Sequence, residues 1–93
     1  MNVTAPYRLA QGVAIRSERF GALVYRYDNR RLYFIHSRDA ADFVAGLDGA
    51  RPLEEAVNDF VSHRALPSST ADTLVDTVGK LERMGIISVV PSA

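Results

Sequence analysis

From Arg16 to His36 the chain reads RSERFGALVYRYDNRRLYFIH, and its two-residue period predicts two antiparallel strands joined by a tight turn. Leu23, Tyr25 and Tyr27 share one face of the first strand. On the second, Leu32, Phe34 and His36 share one face, and Tyr33 and Ile35 share the other. Aromatic and branched side chains fill the segment, as a pleated, half-buried surface prefers. Asp28-Asn29 tolerates positive φ and marks the turn, but without an Asn-Gly or Asp-Gly pair the register stays open.

After His36 the period changes to 3.6. Ser37 is placed to cap a helix with Ala40, Phe43, Val44 and Leu47 on one stripe and Asp39 near its positive end; Asp48-Gly49 ends it, Gly49 supplying the left-handed residue. A second helix opens with Pro52 and Glu54-Glu55, buries Leu53, Ala56, Val57, Phe60 and Val61, and stops near His63-Arg64. Ser68 or Ser69 caps a third, whose core stripe is Leu74, Val75, Val78, Leu81 and Met84 and which closes at Met84-Gly85. Ile86 to Val90 fits a brief final strand or a packed tail.

Upstream, Met1 to Ala5 has little to bury and is expected to fray. Val13 to Arg16 belongs to a first strand, with Tyr7 to Ala10 as its approach or extension. Ser17-Glu18-Arg19 link that strand to Phe20-Gly21, where Gly21 marks a bulge, a close backbone approach or a plain loop. The order is three strands then three helices, without repeats or linkers, in one domain over residues 1–93 with an ordered core at about 7–90. Short connections favour an α+β fold: a three-stranded antiparallel sheet followed by three helices packed on one side. In such a meander Arg31 to His36 is an edge strand. Unless that edge is covered by Ile86 to Val90 or by the N-terminal segment, it is open to pairing with another chain.

The composition, 47% hydrophobic and 24% charged, is that of an ordinary globular domain, and no apolar run approaches the roughly 20 residues of a membrane span. Met1 to Pro6 offers no basic segment leading into an apolar stretch, so no secretory signal is expected. With no cysteine, disulfides, thiolate nucleophiles and zinc-thiolate sites are excluded, which agrees with a cytoplasmic chain. The net charge of zero conceals an asymmetry. Residues 1–38 carry seven arginines against Glu18 and Asp28, a balance of +5, and residues 39–93 balance at −5. Either the two halves neutralise each other, or the basic sheet rim attracts an acidic partner.

No catalytic set emerges. His36 ends a strand, and His63 sits where it can serve terminal helix carbonyls. Glu54 and Glu55 point in different directions as helix neighbours, and no phosphate-loop or dinucleotide glycine pattern is present. A winged-helix DNA-binding regulator is the alternative reading. Against it, Thr70 to Arg83 would present Asp72, Asp76 and Glu82 beside only Lys80 and Arg83, where duplex binding requires several cations.

The pattern R-x-E-x-F-G-A-L-V-Y at Arg16 to Tyr25, then Asn29-Arg30-Arg31-Leu32 and Leu47-Asp48-Gly49, resembles the family of mycofactocin precursor-peptide chaperones (MftB-like), within the wider PqqD-like family of peptide-recognition elements. The likeness runs from about Tyr7 to Ile87; serine at 17 and arginine at 19 stand where proline is common in the family. It implies a small winged-helix-like module with no activity or cofactor of its own. Such a module binds the leader of a ribosomally made precursor peptide and presents it to a radical S-adenosylmethionine maturase. The leader would add as a strand to Arg31 to His36, in a groove against Thr70 to Met84. The peptide-binding residues expected on that basis are Arg30, Arg31, Leu32, Tyr33, Phe34 and Ile35 on the strand side, and Thr73, Thr77, Lys80, Leu81 and Met84 on the helix side. No nucleic-acid or membrane partner is expected.

Overall fold

The computed structural model describes residues 2–91. Its elements are β1 (Pro6–Leu9), β2 (Val13–Glu18), β3 (Gly21–Arg26), β4 (Leu32–Ile35), α1 (Arg38–Ala45), β5 (Asp48–Pro52), α2 (Leu53–His63), α3 (Ser69–Arg83) and β6 (Ile87–Val89). The fold is α+β, with three helices and antiparallel three-stranded sheets.

β2, β3 and β4 form the expected meander. The first strand of the meander runs past Arg16 to Glu18, so Ser17 and Glu18 belong to β2 and only Arg19-Phe20 link it to β3. The register places Ile15, Val24 and Tyr33 in one row and Arg16, Leu23 and Phe34 in the next. Pleating sends these rows to opposite faces. Ala22, Val24 and Ile35 are buried on the inner face, whereas Leu32 and Phe34 are exposed on the outer.

The second sheet, β5-β1-β6, departs from the sequence reading. Tyr7 to Ala10 does not extend the meander; β1 pairs with β6 on one side and β5 on the other. β5 itself occupies the segment expected to end one helix and start the next. α1 already closes at Gly46, whose N–H reaches the Asp42 and Phe43 carbonyls, so Gly49, at φ 72°, lies in a strand and caps nothing.

The N-terminal segment is held as well. Met1 lies outside the described residues, but Val3 and Ala5 pack against the core, and their carbonyls accept the Glu54 and Leu53 N–H groups at 2.9 Å each. These bonds satisfy two of the free donors at the start of α2, where Pro52 supplies no side-chain cap. Ser37 caps α1 as expected, its Oγ accepting from Ala40 N at 3.1 Å. Ser68 does not cap α3 through its side chain: its own backbone is helical (φ −59°, ψ −29°), not the extended conformation from which a cap hydroxyl reaches the following N–H groups.

One core joins the two sheets and three helices, with Leu53, Val57, Leu74, Val78 and Ile86 almost completely buried. The Phe43 and Phe60 rings meet edge to face, 5.3 Å apart, locking α1 to α2.

Candidate peptide-binding groove

Because β6 and the N-terminal segment are engaged in the other sheet, β4 is left as an edge of β2-β3-β4. The direction of its backbone groups follows from one hydrogen bond. Arg26 N donates to Arg31 O at 3.1 Å, so Arg31 faces β3. Along an antiparallel ladder the facing alternates. With Val24 opposite Tyr33 and Ala22 opposite Ile35, these two residues also bond inward, and Leu32 and Phe34 turn their N–H and C=O groups outward.

Close packing at Gly21 holds this edge in place. A Cβ built there would lie 1.9 Å from Ile35 O, and the residue sits at φ 148°. Gly21 is therefore a close-approach glycine, not a loop residue.

The turn before β4 also has a defined chemistry. Asn29 Oδ1 accepts from Arg31 N at 3.0 Å, and Asp28 Oδ1 accepts from Asn29 N at 2.8 Å. The Arg26 guanidinium bonds both Asp28 oxygens and holds that carboxyl below its ordinary range. Positive φ is taken not by Asp28 or Asn29 but by Arg30, at φ 55°. A left-handed non-glycine residue costs about 1–3 kcal/mol, a strain found more often where a side chain is needed.

Between the open edge and α3 runs a groove of about 310 Å³. Tyr33, Phe34 and Ile35 line one wall and Thr77, Lys80, Leu81 and Met84 the other; His36, Ser37 and Ala40 also line it. Of the expected residues these seven are brought together. Arg30, Arg31 and Leu32 stand outside, at the start of β4, and Thr73 faces solvent with its hydroxyl 3.4 Å from Ser69 O. Met84, expected in the core stripe of α3, is 38% exposed and belongs to the groove. The Thr77 hydroxyl donates to Thr73 O at 2.9 Å, so it offers a ligand only acceptor capacity and its methyl. His36, Ser37 and Ala40 escaped the sequence reading. The signal was the two-residue link from β4 to α1, which forces the start of that helix against the edge strand.

The groove is polarised. Arg26 Nη1 donates to Met84 O at 3.0 Å, which fixes the C-terminal end of α3 beside the turn that carries Arg30 and Arg31. Among the described residues none of Arg30, Arg31, Lys80 and Arg83 has an ion-pair partner within 4 Å. Nor, among the described residues, does any ion pair join the two halves. Arg16 pairs with Glu18 and Arg26 with Asp28, while Arg51 pairs with Glu55 and Asp59 and Arg64 with Asp39 and Asp42. Every one of these pairs stays within residues 1–38 or within 39–93.

A second hollow, of about 250 Å³ between α1, β5 and α2, has a different character. Its rim carboxylates are already occupied, Asp59 by Arg51 and Asp42 by Arg64, whose guanidinium lies 4.6 Å over the Phe60 ring.

An open strand edge beside an apolar helix wall is the geometry of strand-addition peptide sites. Comparison with family models bears on this directly: residues 6–88 match the model described as the peptide chaperone MftB family. The chain belongs to that family. It is a peptide chaperone, as the likeness in residues 16–49 implies. Comparisons with curated proteins and with solved structures gave no match. Among the described residues no helix is long and apolar enough to cross a membrane.

Proposed function

We propose that this chaperone captures the leader of a ribosomally synthesised precursor peptide as a fourth strand on β4, and presents the remainder to a radical S-adenosylmethionine maturase in mycofactocin biosynthesis. On this reading it works in the cytoplasm and performs no catalysis itself. The observation that carries the reading is the unpaired edge of β4 opening into the groove against α3.

Energetics define what the leader must bring. Each added backbone hydrogen bond contributes a net of about 0.5–1.5 kcal/mol, while fixing each leader residue costs roughly 1–2 kcal/mol. Pairing alone therefore roughly cancels. Micromolar affinity corresponds to about 8 kcal/mol, and burial of an apolar side chain yields about 1.5–3 kcal/mol. At least three leader side chains must therefore be buried, against Tyr33 and Ile35 from the strand and Leu81 and Met84 from the helix. Arg30, Arg31 and Lys80 set direction by meeting leader carboxylates at one end.

Titration of a labelled synthetic leader, followed by fluorescence anisotropy, tests the reading. Micromolar or tighter binding is expected. Arg30→Glu combined with Arg31→Glu is expected to weaken it about fivefold or more, with thermal stability unchanged, since both side chains are exposed. Unchanged affinity would remove the basic rim from the account. Salt-dependent binding to duplex DNA without leader binding would favour the regulator instead.

A further inference from the structure

Four of the six large apolar side chains that are exposed among the described residues, Phe20, Tyr27, Leu32 and Phe34, gather on the outer face of β2-β3-β4, away from the core. They form two groups, at the two ends of β3. Phe20 lies 5.8 Å from Phe34 and 5.5 Å from His36, and Tyr27 meets Tyr25 edge to face at 4.9 Å. Arg16 projects from the same face, and Arg19, Arg30 and Arg31 occupy the turns at its ends. All seven cations in residues 1–38 are arginine. Aromatic residues with arginine, and without lysine, are the composition of protein–protein contact surfaces.

We propose that this outer face is the docking surface for the peptide-modifying maturase, and that it receives an apolar patch on that enzyme bordered by carboxylates. The inference rests on the peptide-capture reading above for the identity of the partner. Charge selects this occupant over a second copy of the chain. Self-association would bring arginine rims together, and the carboxylates close to the face, Glu18 and Asp28, are already held by Arg16 and Arg26. Position supports the same choice. Phe34 offers its backbone to the groove and its ring to the outer face. A leader strand added beside it continues the pleat, so every second leader side chain extends the same outer face. The maturase docked there meets a surface made jointly by chaperone and leader.

The test measures binding of the purified maturase to the chaperone by interferometry, with and without synthetic leader, alongside leader binding alone. Leader is expected to tighten maturase binding about fivefold or more, and maturase to tighten leader binding by the same factor, because coupling is reciprocal. Phe20→Ser with Tyr27→Ser is expected to weaken maturase binding about tenfold or more while leader affinity stays within about twofold. Arg19→Glu, which removes no packed side chain, is expected to weaken it in the same sense and serves if the double variant fails to fold. Unchanged maturase affinity in these folded variants overturns the proposal. So does absence of maturase binding to the wild-type protein, or a wild-type dimer in sedimentation that the double variant dissolves. Leader binding measured alone reports separately on the capture reading, which stands if only the maturase result fails.

Discussion

Phe34→Pro is expected to abolish leader binding in a domain that still folds. Phe34 turns its N–H away from β3, so proline there removes no bond of the existing ladder, and an edge strand tolerates its fixed φ. What disappears is the donor that the incoming strand needs. Loss of that bond, together with a leader carbonyl left unpaired, costs about 2–4 kcal/mol, or about 30-fold or more in affinity. Phe34→Ala separates backbone from side chain, because it keeps the N–H and loses only the ring contacts with Phe20 and His36. Calorimetric titration of both variants is decisive. Alanine retaining most of the affinity and proline none is the signature of strand addition, whereas equal losses would assign the effect to the ring. Tyr33→Pro behaves differently, since the Tyr33 N–H faces β3 and its removal weakens the sheet itself.

Gly21→Ala is expected to give the largest loss of stability at any exposed or buried glycine near the site. Ile35 O, 1.9 Å from the position of the new Cβ, and Ser37 N, 2.9 Å away, are both backbone atoms and cannot swing aside. Separation of β3 from β4, added to the strain of φ 148°, costs about 2–4 kcal/mol. A domain of this size has a total stability of only about 5–14 kcal/mol. Urea unfolding should show the midpoint falling sharply. Because Ile35 is displaced from the groove floor, residual folded protein should also bind leader less tightly; a variant of wild-type stability would show that the strands tolerate a wider spacing there.

The hairpin was legible because two runs of aromatic and aliphatic residues, Leu23–Tyr25 and Leu32–Ile35, flank a polar turn, and α1 to α3 because each carries a clear apolar stripe. β5 was not. Asp48-Gly49-Ala50-Arg51-Pro52 has no alternating apolar residues, and its place in the sheet comes from backbone pairing with β1. Glycine and proline in that run read naturally as helix punctuation, so Gly49 was expected to end a helix that in fact closes at Gly46. The hold on the N-terminal residues is equally invisible in the sequence: the Val3 and Ala5 carbonyls accept from Glu54 and Leu53, and composition carries no trace of such a contact.

In the groove, the sequence named most of the lining residues but not the direction in which they act. Period two states that Phe34 and Tyr33 lie on opposite faces, without stating which is inward. The register that decides it, fixed at Arg26 and Arg31, depends on a turn whose strained residue is Arg30 rather than either residue of the Asp-Asn pair. His36, Ser37 and Ala40 enter the site only because α1 starts immediately beyond β4, a tertiary consequence of loop length.

Backbone amide shifts of the isotopically labelled protein, recorded during titration with synthetic leader, test most directly whether the leader adds to β4 against α3. Large shifts are expected in Arg30–His36 and in Thr77–Met84, with protection of the Phe34 amide from hydrogen exchange in the complex. Saturable binding whose shifts fall elsewhere, with the Phe34 amide exchanging as freely as before, would contradict it.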